Sequence, residues 1–300
     1  MNLRALLIVN PHARQGRENF VRAKRCLTEL EFHLIEKLVD NVQSASDVIW
    51  QYRDQVDLVI VGGGDGTLNA ALEGLVKTGL PLGILPLGTA NDLALTLGIP
   101  HALPEACRVI KEGYIRHIDL GCVNEKYFLT VATLGLSDAV TRQVTEKAKR
   151  QWGMLAYVVA AFYIFWHFRP FRAEILTQDQ FLSVKTIQIV VGNGRYYAGG
   201  MMVAQNATID DQKLDLYSLE IQRWWDIFML LPAIRKGNLT TRYNVHTLRS
   251  QEIEIHTPKR PRSIDADGEL VSYTAARFRV MPNALPVFCP KKKLASLKIE

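Results

Sequence analysis

The sequence predicts an α/β half followed by a mainly β half. Over the first 120 residues, short apolar runs alternate with segments of helical spacing, the pattern of a parallel sheet covered by helices. Beyond about Gly121 the runs become strand-like and succeed one another with few helical segments between them. Composition agrees: 300 residues with 48% hydrophobic and 22% charged side chains describe a globular chain and exclude disorder or collagen-like sequence. A chain of this length buries roughly three-quarters of the surface it exposes when unfolded, enough for two cores without disulfides or structural metal.

Taken in order, apolar runs place strands at 5–9, 32–37, 58–61, 82–85 and 115–120. Helical spacing occupies 15–30, 45–52, 67–77 and 103–111, with Gly79-Leu-Pro81 and Gly98-Ile-Pro100 as breaks. In the second half strands are expected at 127–133, 171–176, 186–191, 214–219, 252–256 and 276–281, with helices inserted at 152–167 and 224–235. No repeat period or low-complexity linker intervenes. The boundary therefore falls near residue 121, giving domains of 1–120 and 121–284. A tail from about 285 to 300 can pack back on the first. A cleft between two such domains is a common place for a site.

The net charge of +6 favours anionic partners without choosing among nucleotides, acidic lipid surfaces and nucleic acid. Cys26, Cys107, Cys122 and Cys289 are widely spaced, with no C-x-x-C pair, which reads as a reducing compartment. The apolar run before Pro11 is too short for a signal peptide. The longest apolar run, 154–166, falls short of the roughly 18 to 20 residues that span a bilayer and reads first as a buried core helix. Lys147, Lys149, Arg150, Arg169 and Arg172 beside it keep contact with anionic headgroups open, and the cluster at 291–293 reads as a solvated tail first and a headgroup contact second.

Chemistry concentrates in two loops. The first is Val59-Ile-Val-Gly-Gly-Gly-Asp-Gly-Thr-Leu-Asn69, an apolar strand entering Gly63, Gly64, Asp65, Gly66 and Thr67, then a helix through Leu68 and Asn69. Glycines let backbone N–H groups approach phosphate oxygens, and a helix N-terminus adds a favourable dipole. Asp65 suits Mg²⁺ or its water shell, because hard cations prefer oxygen ligands. Neither the Rossmann nor the Walker pattern is present, and a simple tight turn is the competing explanation. The second loop, Leu85-Pro-Leu-Gly-Thr-Ala-Asn-Asp92, brings Gly88, Thr89, Asn91 and Asp92 to the same end of the sheet, where ligands of open parallel sheets bind. Thr89 and Asp92 could alternatively serve only as helix caps.

Together, Gly63-Gly-Asp-Gly-Thr67 and Gly88-Thr-Ala-Asn-Asp92 resemble the diacylglycerol kinase catalytic family, and the motif order resembles its bacterial YegS-like lipid kinases. Asn10-Pro-His-Ala-Arg-Gln-Gly16, Ile118-Asp-Leu-Gly121, Gly192-Asn-Gly-Arg-Tyr-Tyr-Ala-Gly-Gly200, Ile209-Asp-Asp211 and Asp267-Gly-Glu269 follow that order across nearly the whole chain. The resemblance implies an N-terminal NAD-kinase-like, Rossmann-like α/β domain binding nucleotide. A C-terminal β-sandwich domain would take the lipid, with a cleft between them. It also implies ATP-dependent phosphorylation of a lipid hydroxyl, with ATP as co-substrate and Mg²⁺ as cofactor. ATP binding carries over to Gly63 through Asn69 and to Thr89. Glu269 carries over as the base, with Asp65 and Asp267 as further candidate catalytic residues, and Asp92, Asn91 and Asp119 form a polar network. Asp211, with backbone oxygens of Thr208 and Lys213, matches ligands of a separate structural Mg²⁺.

Phosphoryl transfer requires neutralised phosphates, an in-line hydroxyl and a positioned base, and these residues supply such parts. Read without the resemblance, Glu269 is a turn residue after Asp267-Gly268, a common hairpin signal. Gln212 stands where relatives often carry glycine after the paired acids, while Ala198 and Gln205 replace a usual glycine and proline. Trp224-Trp225 and the 228–231 segment are read as helix packing on the β domain before an acyl groove. The expected setting is the cytoplasm, with transient association with the inner membrane surface as a peripheral protein. No nucleic-acid partner is expected, and a homo-oligomer stays open. The alternatives are a kinase for a soluble acceptor such as NAD and a non-catalytic lipid or nucleotide sensor.

Overall fold

The computed structural model describes residues 3–10, 16–39, 45–135, 170–194, 196–197, 201–202, 207–220 and 245–291. The expected helices at 152–167 and 224–235, the Trp224-Trp225 pair, Ala198, Gln205, most of the opening Asn10–Gly16 motif and Lys292–Lys293 lie outside these residues. The chain divides into two compact units: the segment up to Ile118 together with that from Leu285 onward, and the stretch from Asp119 to Ala284.

In the first unit the elements run β1 (Arg4–Val9), α1 (Gly16–Glu29), β2 (His33–Leu38), α2 (Ala45–Tyr52), β3 (Leu58–Gly63), α3 (Asp65–Thr78), β4 (Leu82–Pro86), α4 (Asp92–Leu97) and α5 (Leu103–Glu112). The strands form a parallel sheet in the order β2-β1-β3-β4. Every residue of β3 and β4 is buried, as expected of central parallel strands covered on both faces. Gly79, Gly98 and Gly113 close α3, α4 and α5 in the left-handed conformation, at φ 66°, 70° and 74°, where a Cβ would clash with the preceding backbone. The order 2-1-3-4 places a topological switch between β1 and β3, and the loop leaving β3 carries the Gly-Gly-Asp-Gly motif.

The chain crosses to the second unit through β5 (Ile115–Val123), followed by β6 (Lys126–Phe128), β7 (Val131–Gly135), β8 (Phe171–Leu176), β9 (Phe181–Thr186) and β10 (Gln188–Gly192). A short pair, β11 (Tyr196–Tyr197) and β12 (Met201–Met202), precedes β13 (Leu214–Leu219), β14 (Val245–Ser250), β15 (Glu252–His256), β16 (Ser263–Ala266), β17 (Glu269–Tyr273) and β18 (Ala276–Phe288). One sheet is ordered β14-β13-β10-β7-β16-β17, and facing it the start of β18 pairs with β15, then β8 and β9. Leu134, Ile189, Val191, Leu216 and Ile264 from the first meet Ile175, Ile253, Ile255 and Phe278 from the second in one buried cluster. This is a β-sandwich core, to which β8, β15 and the start of β18 contribute alternate residues while β7 and β10 are buried throughout.

The structure corrects several sequence-based boundaries. The expected strand 127–133 is broken after Phe128, because the amides of Leu129 and Thr130 turn to a side chain, Asp267, in place of a strand partner. The strand expected to end at 281 continues to Phe288, and its last residues return to the first unit, with Val287 beside Leu82 in parallel.

Candidate active site

The two glycine-bearing loops meet backbone to backbone. Amides of Leu87 and Gly88 donate to the Gly63 carbonyl at 3.0 and 3.1 Å. A Cβ on Gly88 would lie 2.3 Å from Gly64 Cα, so the contact admits no side chain there. Asn91, left-handed at φ 53°, locks the second loop by accepting from Gly88 N–H and donating to Gly88 O, both at 2.9 Å. Asp65 joins the loops, one carboxylate oxygen accepting from the Leu93 amide at 3.3 Å in the first turn of α4. Asp92 and Asn91 are buried, Thr89 is exposed, and Asp65 is half-buried.

Gly66 differs from these. A Cβ added there would meet nothing within 4 Å, and φ is not positive, so neither packing nor backbone conformation of the chain demands glycine. Gly66 sits in the exposed first turn of α3, whose N-terminus has no side-chain cap. An uncapped N-terminus with open space beside a glycine has the chemistry to receive an anion, since backbone N–H groups and the helix dipole favour negative charge there.

In the second unit, Asp267 and Gly268 form a two-residue hairpin loop between β16 and β17, with φ of 48° and 87°, the left-handed pair of a type I′ turn. The Asp267 carboxylate accepts from Leu129 N–H (2.6 Å), Thr130 N–H (3.0 Å), Thr130 Oγ1 (2.6 Å) and Val131 N–H (3.1 Å). Removal from water pushes this carboxyl up, while the four hydrogen bonds favour its charged form. Both oxygens are thus engaged within the chain and anchor the hairpin to the 129–131 segment. Glu269 opens β17 beside Ala266, exposed. Nothing in the described residues binds its carboxylate, so it is presented to solvent from a fixed hairpin end.

Residues 4–123 match the model of the diacylglycerol kinase catalytic domain, and residues 130–289 match that of the YegS C-terminal NAD kinase β-sandwich-like domain. The chain belongs to the YegS-like branch of the diacylglycerol kinase catalytic family. It is 34% identical over 244 residues to a Klebsiella pneumoniae (strain 342) protein named "Probable lipid kinase YegS-like", covering 78% of this chain and 80% of that protein. To "Probable lipid kinase YegS" of Salmonella gallinarum it is 32% identical over 246 residues, with the same coverage. Its fold is that of a crystal structure of a diacylglycerol kinase from Bacillus anthracis str. Sterne, with TM-score 0.74 and 22% identity over 96% of this chain and 97% of that one.

The remaining residues that the YegS-like family suggests lie in the second unit. Asp119, 2% exposed, accepts from the amides of Gln212 (2.6 Å) and Asn283 (2.8 Å), and its own amide donates to Ile209 O. Gln212 and Asn283 are both left-handed, φ 59° and 52°, so this carboxylate holds two turns that side chains disfavour. Gln212 therefore adopts the left-handed backbone that glycine takes most readily. Asn193 donates to the carbonyls of Asp119 and Leu129 and ties the Asp119 and Asp267 segments together, a role its sequence motif did not reveal.

The structural Mg²⁺ that the resemblance implies does not fit the residues present. The Asp211 carboxylate accepts from Thr208 N–H (3.2 Å), Thr208 Oγ1 (2.8 Å), Lys213 N–H (3.1 Å) and the guanidinium of Arg249. Arg249 Nε also lies 3.4 Å from Asp215 Oδ1. Burial pushes the Asp215 carboxyl up to about 6, with Arg249 opposing. A guanidinium stands between the two carboxylates, supplying the positive charge an ion would bring. Arg249 had no signal in the sequence, since a lone arginine in a strand looks like solvated charge.

Proposed function

We infer that the protein transfers the γ-phosphate of ATP to a hydroxyl of a lipid such as diacylglycerol or phosphatidylglycerol. The observation that carries this reading is the uncapped N-terminus of α3 with its empty Gly66 side, in a chain of this family. Amides around Gly64–Gly66 bind the phosphates, with Thr67 closing the turn through its own amide bond to Gly64 O, and Thr89 borders them. One Asp65 oxygen is held by Leu93, leaving the other for the Mg²⁺ that accompanies ATP. When bound, Mg²⁺ neutralises phosphate charge. Glu269 takes the proton from the lipid hydroxyl as it attacks, and Asp267 fixes the hairpin that carries it. Its exposure suits a base that meets a substrate brought from outside.

Catalysis belongs in the cytoplasm with transient visits to the inner membrane surface. The basic excess and four free cysteines support this. Among the described residues no helix is long and apolar enough to cross a membrane.

Incubation with γ-labelled ATP, Mg²⁺ and a panel of lipid alcohols in mixed micelles tests the proposal, with NAD and no-acceptor controls. An organic-phase product is expected, and Glu269→Gln should remove turnover while leaving ATP binding within about twofold. Label on NAD alone would assign a soluble acceptor, and ATP binding without transfer to any acceptor would favour a sensor.

A further inference from the structure

The end of the β-sandwich where β8 begins and β9 finishes carries a concavity of about 620 Å³, lined by Phe171, Arg172, Lys185, Lys259, Arg260 and Arg262 among others, with no acidic residue among the described lining residues. Arg172 and Lys185 are direct cross-strand partners and both exposed, an arrangement of like charges that destabilises a sheet. Neither is in an ion pair among the described residues, nor are Lys259 and Arg260. Arg262 lies over the Phe171 ring, 4.7 Å from its centroid, and its guanidinium is made less basic by burial and by Arg260. Lysine on an edge strand commonly blocks unwanted pairing, which accounts for Lys185 but not for the four other cations.

The loop bearing Lys259 and Arg260 is braced. Thr257 Oγ1 donates to Arg260 O at 2.9 Å and contacts Thr274 Oγ1, which accepts from the Arg262 amide at 2.9 Å. The Thr274 amide in turn donates to Arg262 O at 2.9 Å. Four cations without an ion pair among the described residues, with Arg262 beside them, are thus held around one hollow by a fixed hairpin and a fixed loop, and an entering anion would relieve their mutual repulsion. We propose that this concavity, formed by the β8–β9 hairpin and the 257–262 loop, is a binding site for a phosphate-bearing anion, separate from the glycine-bearing loops of the first unit. Arginine forks and the lysine ammonium groups match phosphate oxygens. The same chemistry serves a soluble phosphate compound or an anionic phospholipid headgroup.

The test titrates full-length protein with inorganic pyrophosphate by calorimetry, and with vesicles of phosphatidylglycerol and phosphatidylcholine against phosphatidylcholine alone by co-sedimentation. Arg172→Gln/Arg260→Gln is compared with Arg22→Gln/Arg108→Gln, which removes two exposed cations from helices of the first unit. The proposal expects the concavity variant to weaken one probe by about tenfold or more, from loss of charge-assisted hydrogen bonds, with the control variant within about twofold of wild type. Loss of pyrophosphate binding assigns a soluble ligand, and loss of vesicle binding alone assigns a headgroup. Equal weakening by both variants, or no effect of the concavity variant on either probe, overturns the site. Lys259→Gln and Arg260→Gln as single substitutions serve if the double variant does not fold.

Discussion

Four hydrogen bonds converge on the carboxylate of Asp267, and an amide in its place reproduces only part of them. Asp267→Asn keeps an acceptor for Thr130 and Val131 but turns an NH₂ group toward the Leu129 amide. Stability should fall by about 1–3 kcal/mol, the cost of an unsatisfied buried donor, measured by urea unfolding. Turnover should fall with it, because Glu269 rides on the same hairpin. At Arg249 the prediction concerns charge. Arg249→Gln leaves Asp211 and Asp215 facing each other without a cation and should cost about 1–3 kcal/mol, recovered in part by millimolar Mg²⁺ or Ca²⁺. The wild-type thermal midpoint should not move on adding chelator, and a fall of several degrees would place a metal where Arg249 now stands. Residues of this kind set the limit of what sequence reveals. Asp65, Asn91, Asp92 and Glu269 stand in motifs that single them out as candidates in the sequence, whereas Arg249, Thr130 and Asn193 act through contacts between segments 38 to 137 residues apart. Local pattern carries no such information.

At the level of elements, the two loops make opposite demands on their glycines. Gly88→Ala forces a Cβ to 2.3 Å from the Gly64 backbone and should destabilise the first unit by more than about 2 kcal/mol, read as lost soluble yield or a lowered midpoint. Gly66→Ala enters open space in a helix, where alanine is favoured over glycine by roughly 0.5–1 kcal/mol. The variant should therefore melt no lower than wild type while binding ATP at least tenfold more weakly, a split visible by pairing thermal shift with nucleotide titration. The βα elements of the first unit were legible because buried parallel strands are continuous apolar runs, as in β1, β3 and β4. In the second unit β9, β14, β16 and β17 escaped. Phe181–Thr186 is a half-exposed strand mixing polar and apolar residues, and the hairpin of β16 and β17 is too short to show a period. Asp267-Gly268 was the visible sign of that hairpin, through turn chemistry.

At the scale of the molecule, neither unit is one continuous stretch of chain, because β18 gives its first part to the sandwich and its end to the parallel sheet. Leu285, Val287 and Phe288 are 0%, 0% and 4% exposed, and the Cys289 amide donates to Tyr114 O at 2.9 Å. Burying three such side chains contributes about 1.5–3 kcal/mol each, comparable in sum to the whole stability of a domain. Truncation after Ala284 should abolish cooperative unfolding of the first unit, seen as loss of a thermal transition and rapid proteolysis within residues 1–118. The same arrangement has a consequence for biosynthesis. On the ribosome the first unit leaves the exit tunnel lacking its final strand, and the 166 residues from Asp119 to Ala284 must be translated before that strand exists. At 5–20 residues per second this takes roughly 8–33 s, during which the free edge of β4 invites association with other nascent chains. A chaperone that shields hydrophobic strand edges would find its client in that interval.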